Sequence, residues 1–266
     1  FFDLLDGMSD VVALTVGQPD FVTPWHIREA GIESLESGKT YYTSNAGTLP
    51  LREEIAAYLA RRFSLSYDPK EEIIVTVGGS EAIDMCIRAL IDPGDEVIIP
   101  QPSFVCYEPL VRLAGGVPVL IDTRAADRFK LTPELLTSAI TPRTKLLVLP
   151  FPNNPTGAIM TREDLEKIAD VLRERNIAVL SDEIYAEMTY GLRHVSIASL
   201  PGMRERTVVV NGFSKAYAMT GWRMGYTCAP REITKQMLKI HQFAIMCAPT
   251  TSQFAAVEAL KNGDED

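Results

Sequence analysis

Short segments able to do chemistry recur along this chain, most of them directly after an apolar run. Gly212-Phe213-Ser214-Lys215 follows residues 207–211 and places an amine at the end of such a run. An amine partly withdrawn from water holds its proton less tightly and becomes a nucleophile or base. Asp182-Glu183-Ile184-Tyr185 follows residues 177–181 and offers two carboxylates beside a phenol. Phe151-Pro152-Asn153-Asn154-Pro155-Thr156-Gly157 follows residues 146–150, and its Asn-Pro and Thr-Gly pairs make a turn. Gly78-Gly79-Ser80-Glu81 follows residues 73–77; glycines there let backbone N–H groups converge on a phosphate at a helix start. Gly221-Trp222-Arg223-Met224-Gly225 adds a guanidinium.

Each segment also has a plain structural reading. A Gly-Gly turn before a helix is common, a lysine at a strand end is ordinarily solvated, and one of two adjacent acids can be a helix N-cap. The glycine turn is not a Walker loop, because no G-K-[ST] follows, and it lacks the G-x-G-x-x-G dinucleotide spacing. His26, His194 and His241 are scattered, and Cys86, Cys106, Cys228 and Cys247 form no C-x-x-C pair. That pattern points to free thiols in a reducing compartment and to no metal site.

The elements that must carry these segments follow from periodicity. Apolar runs at 73–77, 96–100, 117–121, 146–150, 177–181, 207–211 and 225–229 are rich in β-branched residues. Continuous runs of this kind suit strands covered on both faces of a parallel sheet. Helical spacing connects them at 49–63, 80–91, 161–174 and 231–246, with Ser80 a candidate N-cap and Thr161 and Asp164 a candidate capping box. Alternating strands and helices predict an α/β fold, a seven-stranded and mostly parallel sheet flanked by helices. Ligands of such sheets sit beyond the C-terminal strand ends, where the segments after 73–77, 146–150, 177–181 and 207–211 fall. The first 35 residues show no clear strand-helix unit.

Composition narrows the function classes. The 266 residues carry 35 acidic against 26 basic side chains, a net charge of −9, which disfavours binding to a phosphate backbone. No apolar stretch approaches the roughly 18 residues that suggest a membrane span. The acidic start Phe-Phe-Asp-Leu-Leu-Asp-Gly does not read as a signal peptide. Neither nucleic acid nor membrane is therefore expected as a partner, and a cytoplasmic location is.

In order and spacing the segments resemble one family, the class I and II aminotransferases of fold type I, which depend on pyridoxal 5′-phosphate. The likeness runs through Gly17-Gln18-Pro19-Asp20-Phe21, Tyr42 with Gly47, Gly78-Gly79-Ser80, Pro102-Ser103-Phe104, Asn154-Pro155-Thr156-Gly157, Ser181-Asp182-Glu183-Ile184-Tyr185, Ser214-Lys215 and Gly221-Trp222-Arg223. It covers nearly the whole chain and is nearest to aspartate, aromatic and "aminotransferase A"-type enzymes. The resemblance implies transfer of an amino group between an L-amino acid and a 2-oxo acid through a Schiff base on Lys215 and a pyridoxamine-phosphate form. It implies Asp182 at the cofactor's pyridine nitrogen, Asn154 and Tyr185 at its phenolic oxygen, and Phe104 on its ring face. The backbone of Gly79, Ser80 and Glu81, with Ser214 nearby and Arg223, would hold the phosphate. Tyr42 would reach it from the second subunit of a homodimer, and the Gly17 backbone, with Asn154, would face the substrate.

The same resemblance implies two domains. Residues 1–36 would associate with a small domain, and residues 37–266 would form the large, cofactor-binding domain. The rest of the small domain, with the arginine that clamps the substrate carboxylate, would lie outside this chain, so the chain reads as a piece of a longer enzyme. Glu81 departs from expectation: its backbone N–H can serve the phosphate, but its charge must point away. Two other functions share these residues. One is a pyridoxal-phosphate lyase (C–S β-elimination or cyclopropane-carboxylate-synthase-like), and the other a non-catalytic ligand-sensing domain.

Overall fold

A computed structural model describes Val12 and residues 17–265. All seven apolar runs form strands: β1 (Ile73–Thr76), β2 (Glu96–Gln101), β3 (Val117–Asp122), β4 (Thr144–Leu149), β5 (Ala178–Asp182), β6 (Thr207–Gly212) and β7 (Gly225–Cys228). They make one sheet in the order β1-β7-β6-β5-β4-β2-β3. Pairing is parallel from β3 through β6, and β7 runs against both β6 and β1. Two reversals restore the direction, so β1 points the same way as β2 to β6. One edge of the sheet thus collects six C-terminal strand ends and the start of β7.

Both faces are covered, as the unbroken apolar runs require. On one face Ile74, Val97, Val148, Leu180 and Val210 pack under α3 (Gly78–Leu90), α4 (Tyr107–Leu113) and α7 (Arg231–Ala244). On the other, Val75, Val209 and Tyr226 meet α2 (Leu49–Phe63) and α8 (Thr250–Asn262), while Ile98, Leu147 and Val179 meet α5 (Pro133–Ala139) and α6 (Arg162–Arg173). Neighbouring residues of a strand therefore enter opposite cores, the period-two rule made physical.

The expected capping box forms at α6: the Thr161 hydroxyl accepts from the Asp164 N–H, and the Asp164 carboxylate accepts from the Thr161 N–H. Ser80 is not the cap of α3. That helix starts two residues earlier, with Val77 at the cap position and no side-chain cap bond. Gly78 makes the early start possible, because its φ of 74° lies in the left-handed region that a Cβ disfavours.

A helix also stands where none was legible, α1 (Trp25–Glu36), lying along α8. Its buried positions are Ile27, Gly31 and Ser34, so the face it hides is mostly small or polar and carries no apolar stripe. Gly31 is needed there, since a Cβ would come within 2.8 Å of the Trp222 ring. The remaining residues before it, 1–11 and 13–16, lie outside the described region. Among the described residues, no helix is long and apolar enough to cross a membrane.

Candidate active site

Asp182 ends β5 and enters the core under α3 and α4, where only 6% of its surface is exposed. The Tyr107 hydroxyl donates to its Oδ2 at 2.7 Å and the Ile184 N–H to its Oδ1 at 3.2 Å. Burial outweighs these bonds and pushes its pKa up to about 6. Among the described residues the carboxylate thus has donors but no counter-charge. Glu183, one residue on, enters the opposite core. Fully buried, it accepts from Ser181 Oγ at 2.7 Å and Ser196 Oγ at 2.6 Å, and pairs with His194 Nε2 at 2.8 Å. Strand alternation therefore separates the two acids, one at the sheet's ligand edge and one inside a closed polar network.

Lys215 follows β6 and is partly buried. Its Nζ donates to the Gly17 carbonyl at 2.5 Å and lies 5.7 Å from the centre of the Tyr185 ring. Burial, and after it the charge of Arg223, holds its pKa below the ordinary lysine value. Asn154 Nδ2 donates to the Tyr185 hydroxyl at 3.3 Å. The Asn154 turn is fixed by its neighbour: Asn153 Oδ1 accepts from the Thr156 N–H and hydroxyl at 3.1 and 2.8 Å. Phe104 meets Tyr107 edge to face at 6.1 Å between ring centres. Lys215, Gly17, Tyr185, Asn154, Asp182 and Phe104 thus share one strand-end region.

The start of α3 completes it. Arg223, itself at φ 53°, sets its guanidinium against Gly78, where a Cβ would meet Arg223 Nη2 at 2.4 Å. Gly225 opens β7 in the same place: a Cβ on it would lie 2.6 Å from the Gly78 carbonyl carbon and 2.8 Å from the Gly79 nitrogen. The Glu81 carboxylate turns back, accepting from the Val77 N–H at 2.5 Å and pairing with His241 Nδ1 at 2.5 Å. Ser80 is exposed and Ser214 buried. Tyr42 stands apart, 76% exposed. Two concavities of about 290 and 490 Å³ lie elsewhere, beside Glu187 and beside Trp222; neither is lined by Lys215 or Asp182, and the chemistry, not the volume, marks the site.

Tyr107 and His241 were not singled out in the sequence. Tyr107 opens α4 and left no local signal, for its partner Asp182 is 75 residues away. His241 left no local signal, for its partner is 160 residues away.

The profile of the family described as "Aminotransferase class I and II" matches residues 9–266. The chain belongs to the class I and II aminotransferases. YugH of Bacillus subtilis is 56% identical over 266 residues, all of this chain and 69% of that protein. The aspartate aminotransferase of Pyrococcus abyssi is 45% identical over 262 residues, 98% of this chain and 67% of that one. The crystal structure of the aromatic aminotransferase from Pyrococcus horikoshii superposes with a TM-score of 0.93 at 46% identity, covering 98% of this chain and 70% of that one.

Membership makes the chain a fold type I, pyridoxal-phosphate-dependent enzyme that moves an amino group between an amino acid and a 2-oxo acid. The aminotransferase names of its relatives favour neither a lyase nor a ligand sensor. The residues present fit the cofactor. Asp182 is a buried anion without a counter-charge, suited to a protonated ring nitrogen. The uncapped start of α3 beside Arg223 suits a phosphate.

Proposed function

We propose that Lys215 is the catalytic lysine of this aminotransferase. Its amine would hold the cofactor's aldehyde carbon and, once the substrate amine replaces it there, take the proton from the substrate Cα. The observation that carries this reading is the partly buried Nζ beside Tyr185, with its pKa depressed by burial and by Arg223. A base near neutral pH needs that depression. When bound, pyridoxal phosphate supplies a cationic ring that accepts the electron pair left at Cα.

In this proposal Asp182 holds the ring-nitrogen proton, and Tyr107 holds Asp182 in place. Asn154 and Tyr185 orient the ring through its phenolic oxygen, and Phe104 covers one face. The N–H groups of Gly79, Ser80 and Glu81 take the phosphate with Ser214 and Arg223. The Gly17 carbonyl, now bonded to Lys215, marks the loop that faces the substrate.

We further infer a homodimer, with Tyr42 serving the partner's site. Exposed Tyr41, Tyr42, Phe243 and Met246 support it, because the Asn45 side chain donates to the Met246 carbonyl and brings the two segments together. Four cysteines without a disulfide support a reducing, cytoplasmic location. Residues 37–266 are proposed as the cofactor domain and residues 1–36 as a segment that also serves a small domain; Ile27 of α1 ties that segment into the large core.

The test is an absorbance titration of the purified protein with pyridoxal phosphate, for wild type and Lys215→Ala. A lysine-dependent band that an added amino acid bleaches is expected. A band that forms equally well in the alanine variant would sink the assignment of Lys215 and leave cofactor binding intact.

A further inference from the structure

Glu81 sits in the first turn of α3, inside the loop proposed to cradle the phosphate, where a free carboxylate would compete with the ligand. Both of its oxygens are occupied on the far side. Oε2 takes the Val77 N–H at 2.5 Å, and Oε1 takes His241 Nδ1 at 2.5 Å. His241 arrives from the last turn of α7, which packs alongside α3, and is wholly buried. A carboxylate can only accept, so Nδ1 carries the proton of this bond. Nε2 is buried without a partner, so Glu81 is the only polar group holding the ring among the described residues. Burying an imidazole with one nitrogen unmatched has a cost, and the packing of α7 on α3 alone would be served as well by an apolar side chain.

We propose that His241 is a positioning residue for cofactor binding: it locks the Glu81 carboxylate behind the first turn of α3, so that the N–H groups in front remain free for the phosphate. This rests on the phosphate-cradle reading given above. Released, the carboxylate would sit within a few ångströms of a dianion, where like-charge repulsion at intermediate dielectric weakens binding roughly ten- to a hundredfold. Nothing about the ring or the catalytic lysine changes, so the loss belongs to the phosphate end alone.

The experiment titrates the cofactor-free protein with pyridoxal phosphate and, separately, with pyridoxal, following absorbance, and records the thermal midpoint of each cofactor-free variant. His241→Leu removes the donor, and Glu81→Asp shortens the acid out of reach of His241 while leaving the buried ring in place. Both should bind pyridoxal phosphate roughly ten- to a hundredfold more weakly and pyridoxal as before. Glu81→Gln with His241→Leu should restore the affinity, and His241→Asn, which keeps a donor, should fall between. If His241→Leu does not fold, Glu81→Asp and His241→Asn carry the test. Undiminished affinity in Glu81→Asp and the folded His241 variants overturns the proposal, as does a double variant no better than His241→Leu. Arg223→Leu is the control on the cradle itself. If it too leaves pyridoxal phosphate and pyridoxal affinities unchanged, the cradle reading fails; if it alone weakens the phosphate ligand, only the role of His241 fails.

Discussion

Helix α6 begins closed, and helix α3 begins open. At α6 the Thr161 hydroxyl and the Asp164 carboxylate satisfy each other's backbone N–H, and Lys130 Nζ reaches that carboxylate at 2.5 Å. At α3 the cap residue Val77 has no side-chain acceptor for the first turn, a left-handed glycine leads in, and Glu81 takes the Val77 N–H while bound to His241. The first helix start is finished by the protein itself, whereas the second is left open, as the proposed phosphate cradle requires. The same contrast separates the two acids at the end of β5. Glu183 has every partner it needs inside the fold, whereas Asp182 is buried short of a counter-charge. At this strand end the two adjacent acids thus differ in whether the fold itself supplies their partners.

Gly225→Ala should damage the open start most. The new Cβ would press on the Gly78 and Gly79 backbone, which cannot swing aside as a side chain does. A stability loss of about 2–3 kcal/mol is expected in chemical denaturation, together with weaker uptake of pyridoxal phosphate. Retention of both would show that this close approach does not shape the loop.

Asp182→Asn should abolish transamination yet stabilise the cofactor-free protein at neutral pH. Its pKa is about 6 in the folded chain against an ordinary 3.8, so the native state binds this proton more tightly. That contribution is fully present below pH 3.8 and is lost as pH rises through 6. The neutral amide escapes the loss, giving about 1–3 kcal/mol at pH 7 and nothing near pH 4 in paired denaturation curves. Equal stabilities across that range would mean that Asp182 is already compensated.

Thr161→Ala tests the closed start. It should cost about 1 kcal/mol while leaving pyridoxal-phosphate affinity untouched, read by the same denaturation and titration. Lys130→Met should cost less, about 0.5 kcal/mol, because the ion pair is partly solvated.

Much of the scaffold was legible because its strands are buried on both faces. The runs at 73–77 and 207–211 were readable for that reason, every strand position in β1 and β6 being buried. Helix α1 was not legible, since Ile27, Gly31 and Ser34 hide a face that owes its fit to smallness. The site's residue types and their places at strand ends were visible in order along the chain. Residue types alone did not tell Asp182 from Glu183, because that depends on which core each strand position enters; only the resemblance implied Asp182. Tyr107 and His241 escaped for a related reason: each acts through a partner 75 or 160 residues distant, and periodicity reports only on near neighbours.

The reversed strand β7 has a consequence during synthesis. Strand β1 pairs only with β7, and Ile73 meets Cys228 across the ladder. Between Thr76 and Gly225 lie roughly 150 residues, which a ribosome needs about 8–30 s to add. For that interval β1 lacks its ladder partner β7, although the Val75 N–H already has the Ala46 carbonyl from the earlier chain. The nascent chain thus carries an edge short of its partner until β7 emerges, and completion of this sheet waits on translation.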